Sequence, residues 1–232
     1  MPISEPDLNV PTYERVRARI IEDVLSGYWP AGAQITIAQM TQRYRVSQMP
    51  VREAMQSLRG EGILLLDSHR GARVPQLGAA FISNMYDVRG AIEAMLARRT
   101  AEHITAADLR VACELARSFE TAAADGDSAA ALAFNRNFHR HINETARNPE
   151  ALQIIEGRAT MVYAVRRRFG YGEGRLEKII DQHRMIVDAL AAHDGEQAAR
   201  IVLLHCEEAK SDLLRMIDMA QNDMDVPRTG RA

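Results

Sequence analysis

The sequence predicts a mainly α protein in two parts, an N-terminal winged helix-turn-helix followed by an antiparallel α-helical bundle of six to seven helices. Three observations carry that expectation. Residues 13–75 read as a helix, a turn punctuated by glycine and proline, two further helices and a pair of short extended runs. From residue 79 onward, apolar residues recur at three- and four-residue spacing in long segments divided by strong stops, with no alternating strand pattern between them. The connections are short, which makes neighbouring helices antiparallel. A chain of 232 residues, 47% hydrophobic and 26% charged, has enough length for a sizeable core in one or two domains.

In the first helix Val16, Ile20, Ile21, Val24 and Leu25 share one face, and Gly27 ends it. The run Gly27-Tyr28-Trp29-Pro30-Ala31-Gly32 then forces a turn. Residues 37–44 form a second helix with Met40 and Tyr44 on one side, and a short Arg45-Val46 turn leads into a third. Ser47 is a helix-cap residue and Pro50 belongs in a first helical turn; Arg52, Gln56 and Arg59 follow on a polar surface. A helix that presents Ser47, Gln48, Met49 and Arg52 at its start carries donors suited to a DNA major groove, and its dipole points positive charge at phosphate. Taken alone, the same stretch also fits an ordinary amphipathic surface helix. Ile63 to Leu66 and Ala72 to Pro75 then read as a hairpin whose tip carries His69, Arg70 and Gly71, a basic wing able to enter a minor groove or clamp the backbone.

Charge supports the combination. The chain as a whole is at -2, so nucleic-acid binding has to come from a local patch. Residues 13–75 hold nine arginines against six acids, an excess of three, and Arg43 is counted with the DNA-facing set. These residues resemble the GntR family of bacterial transcription regulators, through Leu25 to Gly32, through Val46-Ser47-Gln48-Met49-Pro50-Val51-Arg52-Glu53-Ala54-Met55-Gln56-Ser57-Leu58, and through Glu61-Gly62 and Arg70-Gly71-Ala72-Arg73-Val74. The family usually carries arginine directly after the serine, where this chain has Gln48. Glutamine reads adenine bidentately and arginine favours guanine, so the operator is expected to depart from the commoner family sites.

The bundle segments are expected at 79–103, 106–124, 128–146, 150–169, 174–193 and 196–221, after a linker at 76–78. Residues 1–12 and 222–232 are expected to be flexible ends. Within the third segment Leu132, Asn135, His139, Ile142 and Ala146 form an inward stripe; Ile179, His183, Ile186 and Leu190 do so in the fifth, and Ala198, Ile201, His205, Ala209 and Met216 in the sixth. One inward histidine reads most simply as a hydrogen-bonded core residue. Three of them on three helices need a common partner, and a divalent metal such as zinc supplies one, with metal–nitrogen distances of about 2.0–2.1 Å. His141 lies on the face opposite His139, and His103 and His193 fall at helix ends and are expected to be solvated. Arg166-Arg167-Arg168 reads as a solvated cluster favouring a helix C-terminus.

This second pattern resembles the six- to seven-helix FCD-type ligand-binding domain of the FadR subfamily of GntR regulators. Asn135-Arg136-Asn137-Phe138-His139 is similar to its Asp-x-x-Phe-His motif, and Asn148-Pro149, His183 and His205 match later landmarks. The resemblance implies a metal site of Asn135, His139, His183 and His205, with asparagine where metal-binding members have aspartate, and so one negative charge fewer around the ion. It further implies a homodimer, probing palindromic operator DNA as a repressor relieved by a small organic acid. Arg89 matches an arginine facing the effector pocket; an i,i+4 ion pair with Glu93 on the helix surface is the alternative. Two rival readings remain: a metal-dependent enzyme with a nucleic-acid-binding appendage, Glu207 and Glu208 being its nearest carboxylates in sequence, and a metal-free regulator whose histidines bond the effector directly. Cys113 and Cys206 sit inside helical patterns and read as core fillers in a reducing compartment. No apolar run approaches a membrane span and residues 1–11 lack the apolar stretch of a signal peptide, so a cytoplasmic protein with no membrane partner is expected.

Overall fold

The computed structural model describes residues 10–67, 71–75 and 78–225, with side chains at 66, 67, 157–160 and 221–225 excepted. Residues through Leu77 form one compact unit and those from Gly78 a second.

The first unit contains α1 (Thr12–Leu25), β1 (Gln34–Ile35), α2 (Ile37–Tyr44), α3 (Gln48–Gly60), β2 (Leu65–Asp67) and β3 (Gly71–Arg73). The three strands form an antiparallel sheet in the order β1-β3-β2, with Ala72 opposite both Ile35 and Leu66. The expected two-stranded hairpin is therefore corrected on two counts. At two residues, β1 is too short to show a period. Ile63 and Leu64 are fully buried core residues ahead of β2 rather than strand residues, because the chain leaving α3 turns straight into the core. Gly71 has φ +99°, and a Cβ there would run into the Ile35 carbonyl, so only glycine lets β3 lie this close to β1.

Val16, Ile20, Met40, Val51, Leu58 and Ile35 fill the core of this unit. Helix α2 starts on a Thr36/Gln39 capping box. A polar strut ties α1, the 27–32 turn and α2 together: Arg43 donates to both Asp23 carboxylate oxygens at 3.0 and 2.8 Å, Tyr44 donates to Asp23, and the Trp29 indole donates to Tyr44.

The described residues of the second unit form six helices: α4 (Ala79–His103), α5 (Ala106–Ala124), α6 (Ser128–Thr145), α7 (Pro149–Phe169), α8 (Arg175–Ala191) and α9 (Gly195–Asp225). Their boundaries follow the stops. Thr105 and Asp108 form a capping box, while Asp127 and Asn148 accept from the Ala130 and Ala151 amides. Phe138, Ile142, Ile186, Leu190, Ile201 and Val202 make the central core, and Phe119, Ala131 and Ile179 a second cluster beside it. Helices α4 and α9 run antiparallel along most of their length, since Arg98 meets Glu196 and Asp87 meets Lys210. Gly90 makes that approach close: a Cβ there would stand 3.2 Å from Cys206 Cβ. No helix among the described residues is long and apolar enough to cross a membrane.

Candidate functional site

The N-terminal end of α3 forms an exposed surface. Ser47 occupies the N-cap with extended dihedrals but makes no side-chain cap bond, and Ser47, Gln48, Met49 and Arg52 are all exposed, Met49 at 64%. Val51, Ala54, Met55 and Leu58 pack the opposite face into the core, fixing the helix that holds the polar set. Arg43 is exposed as well. Its guanidinium is committed to Asp23 and lies 3.6 Å from the Tyr28 ring centroid, which makes it first a structural cation. His69 and Arg70 lie outside the described residues; Gly71 is half-buried in β3.

In the bundle the three inward histidines converge. One ring nitrogen from each of His139, His183 and His205 lies within 4.8 Å of the others, and all three side chains are buried. His139 Nε2 and His205 Nε2 are 3.0 Å apart. His205 Nδ1 faces the Gln182 amide oxygen at 2.9 Å, which can only accept, so Nδ1 carries the proton and Nε2 presents a lone pair. The Gln182 amide nitrogen in turn donates to Glu208. His183 stacks on Phe138 with ring centroids 4.0 Å apart, and neither of its nitrogens has a hydrogen-bond partner. Asn135 Oδ1 is likewise buried and unpartnered. Burial lowers the His139 pKa to about 4, with Glu93 partly offsetting it, and pushes His183 and His205 well below the usual range, so all three rings are neutral near pH 7. Neutral imidazole nitrogens gathered in one place, with an orphaned amide oxygen one helical turn from His139 on the lining of the same cavity as His205, fit a divalent cation, because a buried polar atom left without a partner is unfavourable.

The same region holds a carboxylate that the periodicity did not single out. Glu93 is 2% exposed, stands 3.9 Å from His139 Nδ1, and accepts from Arg89 Nε at 2.9 Å. Burial opposes its charge, but Arg89 and His139 outweigh that and hold its pKa below the usual value. The two readings of Arg89 thus combine: it makes the i,i+4 pair with Glu93, in the bundle interior rather than on the surface, and it also lines a cavity of about 340 Å³ with Asn135 and His205.

Arg166 overturns its expected solvated place. It is 4% exposed, pairs with Asp212, itself 1% exposed, and donates to the Ala209 and Gly170 carbonyls. Arg167 and Arg168 remain exposed. Arg175 is also buried, donating to Glu208, Gln182 and the His205 carbonyl, while its Nε has no partner. Tyr171 places its ring 5.0 Å from Arg166, and its hydroxyl is buried and unpartnered, with burial raising its pKa to about 12. All three line the cavity. A signal existed for two of them: Arg175 precedes Ile179 and His183 by one and two turns on the same stripe, and Arg166 continues the face of Val162. Outside the site, half-buried His141 bonds the Asp108 carbonyl, and His193 is anchored to the Ala101 carbonyl rather than merely solvated.

Comparison with known proteins places both units. Residues 84–208, more than half of the chain, match the FCD domain, and residues 12–74 match the bacterial regulatory proteins of the gntR family. The chain belongs to the GntR family. This GntR protein is 29% identical over 193 residues to a probable D-xylose utilization operon transcriptional repressor of Paenarthrobacter nicotinovorans, covering 82% of this chain and 84% of the relative. It is 25% identical to the HTH-type transcriptional repressor RspR of Escherichia coli, over 92% of this chain and 93% of that one. Among solved structures, E. coli McbR/YncC superposes with a TM-score of 0.69 at 21% identity, covering 90% of this chain and 99% of the other, a likeness of fold. Its domains make this GntR protein a transcription regulator and not an enzyme.

Proposed function

We propose that this regulator is a cytoplasmic, homodimeric repressor of the FadR subfamily, released from operator DNA by a small organic acid bound beside a metal ion in the FCD bundle. The observation that carries the effector half is the convergence of His139, His183 and His205, with unpartnered nitrogens on His183, beside a cavity lined by His205, by Arg89 and by Asn135 with its unpartnered oxygen. These four side chains would hold the ion, zinc being the cation that this nitrogen-rich set favours. When bound, it supplies a Lewis-acid anchor for a carboxylate. Gln182 fixes the tautomer of His205, and Glu93 faces the outer nitrogen of His139, an arrangement that orients metal-ligating imidazoles. Arg89 supplies further donors toward a carboxylate.

In the DNA-binding half, Ser47, Gln48, Met49 and Arg52 enter the major groove, His69, Arg70 and Gly71 form the wing contact, and Arg43 supports them by bracing α2 on α1. The names of the two curated relatives, both repressors, support the sign of regulation. The loss of operator affinity on effector binding is bounded by the effector's differential affinity for the free and DNA-bound states.

Selection of bound duplexes from a random pool, followed by fluorescence anisotropy on the enriched site, tests this reading. The expected product is a palindrome bound at least about tenfold more weakly by Arg52→Ala, and loosened by zinc plus a cognate carboxylate. An affinity unmoved by Arg52→Ala would contradict the groove assignment.

A further inference from the structure

We infer that the ligand of the FCD cavity is a short dicarboxylate, held at one end by the histidine cluster and beyond it by Arg175, Arg89 and, farthest away, Tyr171. The inference rests on the effector site proposed above and names its ligand class.

Helix α9 serves as a ruler along the cavity, at about 1.5 Å per residue. His205 stands at the level of the metal-ligand set. Arg175 reaches across to the His205 carbonyl and to Glu208, Arg166 to the Ala209 carbonyl, and the Gly172 amide to Asp212. Tyr171 therefore sits between the Ala209 and Asp212 levels, one to two turns and roughly 6–10 Å beyond His205. Helix α4 gives the same direction: Glu93 faces His139 and Cys206, while Arg89 lies one turn toward the end where Asp87 meets Lys210. The cavity thus has two polar ends.

Beyond the histidines the unsatisfied atoms are donors. Arg175 Nε is an N–H without a partner on a side chain only 3% exposed, and the Tyr171 hydroxyl, unpartnered as well, has its proton to give. Both line the cavity. The three guanidiniums there are neutralised by Glu93, Glu208 and Asp212, so this end offers hydrogen bonds rather than surplus positive charge. At the near end the opposite holds: three neutral imidazoles and the neutral Asn135 amide leave both charges of a divalent ion uncompensated. A ligand with one carboxylate at each end satisfies the far donors and brings two negative charges to balance the ion. The apolar wall of Ile92, Val162 and Leu132 suits a methylene spacer, and a cavity of about 340 Å³ limits its length.

The test compares matched acids on the zinc-loaded full chain by calorimetry and thermal shift: propionate with malonate, butyrate with succinate, valerate with glutarate, hexanoate with adipate. At one chain length the diacid should bind tenfold or more tighter than the monoacid, about what a hydrogen bond to a charged group contributes. Tyr171→Phe should remove most of that advantage while leaving monoacid affinity and zinc content unchanged. Equal binding of mono- and diacid at every length overturns the inference, as does a diacid advantage that survives Tyr171→Phe, which marks simple chelation. Should Tyr171→Phe fail to fold, the paired acids on the unaltered protein still decide. Failure of the underlying effector site looks different: neither acid binds at any length, and His139→Ala leaves zinc content unaltered; the inference then falls with it.

Discussion

Asp212→Asn is the most informative structural perturbation, because one buried carboxylate holds together the α7–α8 turn, α9 and the floor of the cavity. Asp212 is 1% exposed; it accepts from Arg166, 4% exposed, and from the Gly172 amide at 3.1 Å. Breaking a buried pair leaves an uncompensated charge and is destabilising by about 3–5 kcal/mol. Asparagine keeps the shape and one acceptor for Gly172 but removes the charge opposite Arg166, so the lower end, about 3 kcal/mol, is expected. At roughly 2–4 °C per kcal/mol for a domain of this size, the melting point falls by about 6–12 °C. Urea unfolding monitored by circular dichroism should show a lower midpoint with an unchanged slope. Replacing both partners by apolar residues, Arg166→Met with Asp212→Leu, should restore much of the loss. A fall below about 1 kcal/mol for Asp212→Asn would show that Asp212 is not the main partner of Arg166 and that the guanidinium finds its stabilisation in water.

Two further outcomes follow from particular residues. Since His139 has a folded pKa of about 4 against an ordinary value of 6.5, its contribution is present above pH 6.5 and is lost as pH falls from there toward 4. Metal-free protein should lose about 2 kcal/mol from this ring between pH 7.5 and pH 5, with His183 and His205 adding in the same direction, and a flat urea midpoint over that range would contradict the burial argument. In the DNA-binding unit, Gln48→Arg should move base preference from adenine toward guanine at one position of each half-site by about 1–3 kcal/mol, read from paired operator variants; an unaltered preference would remove Gln48 from the groove.

Much of this molecule was legible because its signals are local. Thr105 with Asp108, Asn148 with Pro149, and Gly170 announce helix boundaries within a few residues of themselves, so the six bundle helices can be placed before any packing is known. The inward stripes through His139, His183 and His205 are local too, and α3 with its cap and exposed polar start could be read the same way. What escaped depends on partners far away in sequence. Arg166 is buried because Asp212, 46 residues on, neutralises it, and Arg175 because Glu208, 33 residues on, does the same. Read singly, each looks like surface charge, since unpaired arginine is seldom buried. Glu93 enters the sequence reading only as the alternative, surface partner of Arg89 for the same reason, and Tyr171 in a glycine-rich turn carries no periodicity at all. In the first unit, β1 is created by pairing with β3 rather than by its own two residues.

One ion shared by the three histidines should show itself in metal content and in zinc-dependent stability. Protein purified without chelator, beside His183→Ala, should contain close to one divalent ion per chain against almost none. Zinc added to metal-free protein should raise the melting point of the unaltered chain and leave that of His183→Ala in place. Equal and negligible metal in both, with no shift on adding zinc, would rule out the shared ion and leave the histidines to bond the effector directly.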